Sequence, residues 1–173
     1  MIGLQREEQT GIDFADLVRE HQSMVFSLSY HFLHDRELAE EVAQEVFLGL
    51  HRHMGDIKSG EHAVFWLRKV AAQRSIDAAR RRKRRPQVAL EEVAEPAARA
   101  AVYDPLLGEL LRRLVETLPE TPRMVMVMRY QEDLAPAEIA ALLEMPVATV
   151  KSHLQRSLAL LREKLERRGV GGY

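Results

Sequence analysis

The sequence predicts an all-α chain in which two small helical domains are joined by a flexible linker. Three observations carry this expectation. Apolar residues recur at three- and four-residue spacing through most of the 173 positions, sustained two-residue alternation is confined to one short run, and the middle of the chain is rich in proline and acid without a clear period. Glycine and proline fall at the edges of the periodic blocks, and hydrophobic residues at 46% are enough to build cores.

Residues 1–12 hold no period and read as a tail. Asp13 offers an N-cap with Asp16 three positions on, and Phe14, Leu17, Val18, Met24, Val25, Leu28 and Phe32 mark one face of a helix of roughly five turns. His34 and Asp35 break it. In the second helix Leu38, Val42, Val46, Phe47 and Leu50 turn inward, Glu37, Glu40, Glu41, Gln44 and Glu45 stay outside, and the early acids suit the helix dipole. Gly55, Ser59 and Gly60 place a loop over residues 55–62, after which Val64, Phe65, Leu67, Val70, Ala71 and Ile76 define a third helix running into a block of arginines. Residues 13–85 make the first domain.

Pro86 ends that helix, and residues 86–108 read as the linker, with three prolines and weak periodicity. As a flexible coil 23 residues would span on the order of 26 Å, and fully extended about 75 Å. Leu110, Leu111, Leu114, Val115 and Leu118 open the second domain, residues 109–168, and residues 169–173 form a second tail. The run MVMVMRY, Met124 to Tyr130, alternates like a strand, but with only helices around it a lone strand has nothing to pair with. A buried helix with methionines as core filler is the better expectation.

The stretch Leu134 to Arg156, LAPAEIAALLEMPVATVKSHLQR, has the pattern of a helix-turn-helix. Pro136 suits a first helical turn, Ile139, Leu142 and Leu143 recur at helical spacing, and Pro146 ends that run and starts the next. In the second helix Val147, Val150 and Leu154 form an apolar stripe, while Thr149, Lys151, Ser152, Gln155 and Arg156 offer side chains able to read base edges and grip phosphates. An ordinary helical hairpin with a solvated face is the plainer alternative. Leu158, Leu160, Leu161 and Leu165 carry the last helix to about Arg168.

Net charge is −1, yet the charge is segregated. From Asp13 to Leu50 eight acids face two bases, whereas from Arg74 to Arg85 seven bases face only Asp77, the footprint of a polyanion-binding surface. That basic block continues a helix already carrying Arg68, Lys69, Gln73 and Arg74 beside Phe65 and Trp66, although a lone Trp on an amphipathic helix is more readily core than a base-stacking platform. No catalytic set accompanies these patches. His51 and His53 point to different faces of a helix, His31 with His34 and Glu37 lacks further ligands, and the exterior acids have no convergent base, nucleophile or glycine-rich phosphate loop. Neither enzyme activity, a metal nor a cofactor is expected. The absence of cysteine, of a signal-peptide pattern in MIGLQREEQTGID and of any apolar run near 18 residues points to a cytoplasmic protein that does not enter a membrane.

These motifs resemble the sigma-70 family of bacterial RNA polymerase sigma factors, specifically the small two-domain extracytoplasmic function (ECF) group. AEEVAQEVFLGLHR at Ala39 to Arg52 is similar to the family's region 2.2, and FWLRKVAAQRSIDAARRR at Phe65 to Arg82 to its regions 2.3 and 2.4. LPETPRMVMVMRYQEDLAPAEIAALLEMPVATVKSHLQRSLALLRE, from Leu118, is similar to region 4. The resemblance implies that Glu41, Gln44, Glu45 and Phe47 lie at or beneath the contact with the β′ clamp helices of core RNA polymerase, with region 4 near the β flap. It implies that the loop at Gly55 to His62 captures a flipped base of the −10 element, with Arg68, Lys69, Gln73, Arg74, Asp77, Arg80 and Arg81 along that strand. Thr149, Lys151, Ser152, Gln155 and Arg156 would then meet the −35 major groove. An anti-sigma factor is a further partner that such proteins can have.

Three positions depart from the family's pattern: Gln73 stands where Asn is common, His153 where the −35 helix usually has Arg, and Glu144 where the turn usually has Gly. If the two promoter elements lie about 55 Å apart, the linker must be held extended by polymerase. The competing reading is a LuxR-type helix-turn-helix transcriptional regulator, similar through TVKSHL, which accounts only for the C-terminal third. A nonenzymatic RNA-binding adaptor would use the arginines but leaves the acidic second helix unexplained.

Overall fold

The computed structural model describes residues 11–85 and 105–170, and over these the chain forms seven α-helices, one short 3-10 turn and no strand. Residues 1–10, 86–104 and 171–173, on which most of both expected tails and of the expected linker falls, lie outside the described residues.

Helices α1 (Phe14–Leu33), α2 (Arg36–Arg52) and α3 (Gly60–Arg84) pack as a bundle, each against the other two. The inward stripe of α1 buries Leu17, Val25, Leu28, Phe32 and Leu33, each side chain contributing about 1.5–3 kcal/mol by leaving water. Asp13 holds the N-cap position of α1, but its carboxylate makes no capping bond; its carbonyl accepts from the Leu17 amide, and Asp16 pairs with Arg19 at 2.9 Å. The helix stops where His34 takes a left-handed conformation, φ 50°, and Asp35 then caps α2 by accepting from the Leu38 amide at 3.0 Å.

The loop expected at residues 55–62 is shorter than the sequence implies. Ser59 accepts from the His62 amide at 3.0 Å, so Gly60, Glu61 and His62 form the first turn of α3. What remains is the 3-10 turn Met54–Asp56 and its short continuation. The serine cap outweighs the helix-breaking tendency of the adjacent glycine. At the other end Arg85 is extended, φ −91° and ψ 135°, as a residue preceding proline must be.

The second half holds α4 (Pro105–Glu116), α5 (Glu120–Tyr130), α6 (Pro136–Leu143) and α7 (Val147–Arg167). α4 begins inside the segment read as linker, because proline at the first helical position gives up no backbone hydrogen bond. Its first turns are tied by Glu109, which meets Arg112 at 2.7 Å and Arg113 at 2.8 Å; the two guanidinium groups hold its carboxyl at about 2.

Met124 to Tyr130 is helical, and the apparent alternation has a physical cause. Every residue from Arg123 to Met128 is buried, because α5 meets α6 and α7 of its own half and α1 and α3 of the other. With protein on all sides there is no polar face to impose a helical period. Met126 joins Leu114, Leu118 and Leu161 in a small core, whereas Met124, Val125, Val127 and Met128 belong to a core continuous with Phe32, Ala72 and Ala79.

Candidate nucleic-acid and polymerase interfaces

On α3 the seven residues assigned from sequence to the −10 strand divide into two groups. Gln73, Arg74, Asp77, Arg80 and Arg81 are exposed. Arg74 leans towards α2, 3.9 Å from Glu45, with both side chains about half exposed. Arg68 and Lys69 are only partly exposed because they face the second half of the chain. Lys69 Nζ meets Glu144 Oε1 at 2.6 Å, and Arg68 lines a groove of about 760 Å³ with Phe65, Leu134, Glu138 and Leu142.

The basic block is not uniformly a ligand surface either. Arg82 turns inward, donating to the Leu33 carbonyl at 3.2 Å and lying 3.5 Å from Asp35, and so fastens α3 to the α1–α2 corner. Lys83 pairs with Glu120 at 2.8 Å. Trp66 is half buried over Gly49, where a Cβ would stand 3.2 Å from the indole ring. The glycine is what admits the ring. His53 lies against that indole, centroids 5.6 Å apart, with Nδ1 2.8 Å from the Gly49 carbonyl oxygen. His62 accepts from the Lys58 amide at 3.2 Å, so the turn between α2 and α3 is braced at both ends.

On α2 the four residues assigned to polymerase differ in exposure, although Gln44 and Phe47 line one groove. Glu41 and Gln44 are exposed on one face, Glu45 turns towards Arg74, and Phe47 is partly buried in a groove of about 750 Å³ between α1 and α2. The structure adds Leu48, 59% exposed, which continues the Glu41–Gln44 face and lines the same groove with Phe14, Val18 and Phe26. Its signal was present in the sequence: a leucine on the acidic side of an amphipathic helix has no core to serve.

In the second half α6 and α7 form the helix-turn-helix. Glu144 takes φ 53°, its amide and that of Met145 both bond to the Ala140 carbonyl, and Pro146 sets the extended approach to α7. Glu138 supplies one half of a capping box by accepting from the Ala135 amide at 2.7 Å; alanine cannot supply the other half. Thr149, Lys151, Gln155 and Arg156 are exposed, and Ser152 and His153 are partly buried beside them. The apolar stripe sits one turn later than the sequence reading put it. Val147 is 38% exposed, and the buried line runs Val150, Leu154, Ser157 and Leu161, with Leu154 partly covered. Among the described residues no three His, Cys, Asp or Glu side chains group to hold a metal ion, and no helix is long and apolar enough to cross a membrane.

Comparison with known proteins matches each half to one family. Residues 17–85 match sigma-70 region 2, and residues 108–161 match sigma-70 region 4. The match over residues 17–85 leaves the LuxR-type reading without support, since that reading concerns the C-terminal third alone. The ECF RNA polymerase sigma factor SigW of Bacillus subtilis is 26% identical over 167 residues, covering 88% of this chain and 88% of that protein. The RNA polymerase sigma-H factor of Pseudomonas aeruginosa is 26% identical over 178 positions, covering 94% and 90%. The fold is shared with solved structures. RpoE of Bartonella quintana, in complex with the anti-sigma factor NepR, superposes with a TM-score of 0.72 at 18% identity, covering 89% of this chain and 97% of that one. CnrH in complex with the cytosolic domain of CnrY gives 0.65 at 20% identity, covering 89% and 88%. The chain therefore belongs to the sigma-70 family of RNA polymerase sigma factors, in its ECF group, and its function is that of a sigma factor in transcription initiation.

Proposed function

We propose that the chain binds core RNA polymerase through α2 and directs it to promoters by engaging the −10 element with α3 and the −35 element with α7. The observation that carries this is the presence of two separate exposed recognition faces on one chain, Gln73, Arg74, Asp77, Arg80 and Arg81 on the first half and Thr149, Lys151, Gln155 and Arg156 on the second. Residues 13–85 and 109–168 are the two working domains on this reading, with 86–108 between them. Phosphates are gripped by the arginines and lysines, and base edges are read by the amide, hydroxyl and guanidinium groups beside them.

The β′ clamp helices are the proposed occupant of the face formed by Glu41, Gln44 and Leu48 and the adjoining Phe47 groove. Acids rim an apolar strip there, which suits a basic partner with apolar contacts at its centre. Strand opening at the −10 element costs a few kcal/mol per flipped base, so the braced turn at His53 to His62 and the arginines of α3 must act together with polymerase. The chain performs no bond chemistry itself; polymerase makes the transcript. It acts in the cytoplasm, where polymerase and promoter DNA are, and an anti-sigma factor is a further proposed partner. The test is direct: purified chain mixed with core polymerase elutes as one complex and yields discrete run-off transcripts from a subset of genomic promoters. Failure to co-elute with core, together with tight specific binding of duplex by the chain alone, would overturn the proposal.

A further inference from the structure

The groove between α1 and α2 has walls made by Phe14, Val18, Phe26, Ala43, Phe47 and Leu48. The two helices run antiparallel, since Phe14 at the start of α1 meets the ring of His51, near the end of α2, edge-on with centroids 5.1 Å apart. Phe47 and Leu48 therefore stand at the Phe14 end, and Glu40 lies towards the other. Along α1 the wall from Phe14 to Phe26 is about 18 Å long. Gln22, Ser23 and Gln44 are exposed along its edges. An apolar strip of this size, rimmed by polar side chains, is the mark of a surface that something covers.

We propose that residues 1–10 of this chain lie back along the groove in the free protein, and that they compete there with core RNA polymerase. The competition rests on the reading of α2 as the polymerase-binding helix; the docking of the segment does not. The chain delivers the segment to the open end of the groove. Ile12 is packed against the core of the first half, and Phe14 is both the first residue of α1 and a wall of the groove. Gly11, one position before Ile12, is the residue type that most readily reverses a chain. Residues 1–10 reach about 33 Å when extended, enough to turn back and run the length of the groove.

The chemistry of the segment suits the groove as well. Met1, Ile2 and Leu4 supply three large apolar side chains, and the stretch MIGLQR carries one base, Arg6, and no acid. Glu37, Glu40 and Glu41 are exposed along α2, so the charges are complementary. Gln22, Ser23 and Gln44 can exchange hydrogen bonds with the backbone of a segment laid between them. Gln44 and Leu48 belong both to the groove and to the face proposed for polymerase, so one occupant excludes the other. A tethered segment needs little intrinsic affinity, because its effective concentration is in the millimolar range. Seated in about two thirds to nine tenths of the molecules, it lowers the apparent affinity for polymerase about three- to tenfold.

The full chain has no cysteine, so Leu4→Cys with Ala43→Cys places the only two thiols on the segment and in the groove. In a glutathione redox buffer at low protein concentration this pair should close an intramolecular disulfide at least tenfold faster than Leu4→Cys with Ala159→Cys, whose second thiol is exposed on α7. Equal rates would overturn the docking. A disulfide-linked dimer in place of the closed monomer would give the groove to a second copy of the chain, and would overturn it too. In the chain without added cysteines, Ile2→Glu with Leu4→Glu should raise the affinity for core polymerase about three- to tenfold in a fluorescence titration, with circular dichroism verifying the fold. Unchanged or weakened affinity with the fold intact would overturn the competition. Core polymerase that binds neither protein would reject the polymerase reading of α2 and the competition with it, and the disulfide rates alone then decide the docking.

Discussion

Arg123 is 4% exposed, its Nε has no hydrogen-bond partner among the described residues, and burial lowers its pKa, partly offset by Glu120 and Glu116 and reinforced by Arg82. Taking a guanidinium out of water costs several kcal/mol, and the cation–π contact with Phe32 returns about 1–2 kcal/mol. The packing of its methylene stem and the charge thus act in opposite directions. Arg123→Met keeps a long flexible apolar side chain over Phe32 and removes the buried charge, so it should leave stability unchanged or raise it by about 1 kcal/mol, a shift of about 2–4 °C in Tm for a chain this size. Arg123→Ala removes the stem as well and leaves a void under α1, costing about 2–4 kcal/mol and lowering Tm by roughly 5–15 °C. Thermal unfolding by circular dichroism at low protein concentration distinguishes the two. If the methionine variant unfolds as early as the alanine variant, the charge itself is a net stabiliser and the reasoning about its burial is wrong.

Three further outcomes follow from particular contacts. His34, in its left-handed corner, is pushed down to about 4 by burial and then by Arg112, His31, Arg123 and Arg82. Its neutral form is favoured in the fold, so its contribution is complete above the ordinary value of 6.5 and is lost as pH falls through about 4. The total is at most about 3 kcal/mol, and His34→Asn, which tolerates the same conformation, should flatten the loss of stability between pH 7 and pH 4 seen in urea titrations. On α2, Leu48→Glu places a charge on the proposed polymerase face without touching a core; it should weaken binding to core polymerase at least tenfold in a fluorescence titration and leave Tm within about 3 °C, while unaltered affinity would move the contact elsewhere. On α7, Arg156→Ala should reduce initiation from promoters with a −35 element by about 1–3 kcal/mol if it reads a base; a uniform loss across all −35 sequences with a shallower salt slope would instead make it a phosphate contact.

Much of the architecture was legible in the residues because each element carries its own signals. The stripe of Leu17, Val25, Leu28 and Phe32, the Asp35 cap and the acid face of α2 are local features, and local features can be read from one chain. The errors have local causes as well: Ser59 capped where Gly60 suggested a break, Pro105 opened a helix where proline suggested a linker, and Val147 stands outside the core its spacing implied. The folding-back of one half on the other was not legible. Nothing in the neighbourhood of Lys69 announces Glu144, 75 positions away, and the only trace of α5 being enclosed on every side was an alternation that imitated a strand. Among the residues assigned to interfaces, those of α7 came from side-chain chemistry and spacing and those of α2 and α3 from the family resemblance; Leu48, 59% exposed, was placed on neither face of α2, because a single leucine among acids breaks the pattern of both.

On the proposed function the chain opens promoters only together with core polymerase. Permanganate oxidation of unpaired thymines on a promoter fragment tests it most directly. Chain and core polymerase together should render thymines of the −10 element reactive, while the chain alone and core alone leave the duplex protected. Reactive thymines with the chain alone, or none with the two combined on any promoter that yields a run-off transcript, would contradict the account.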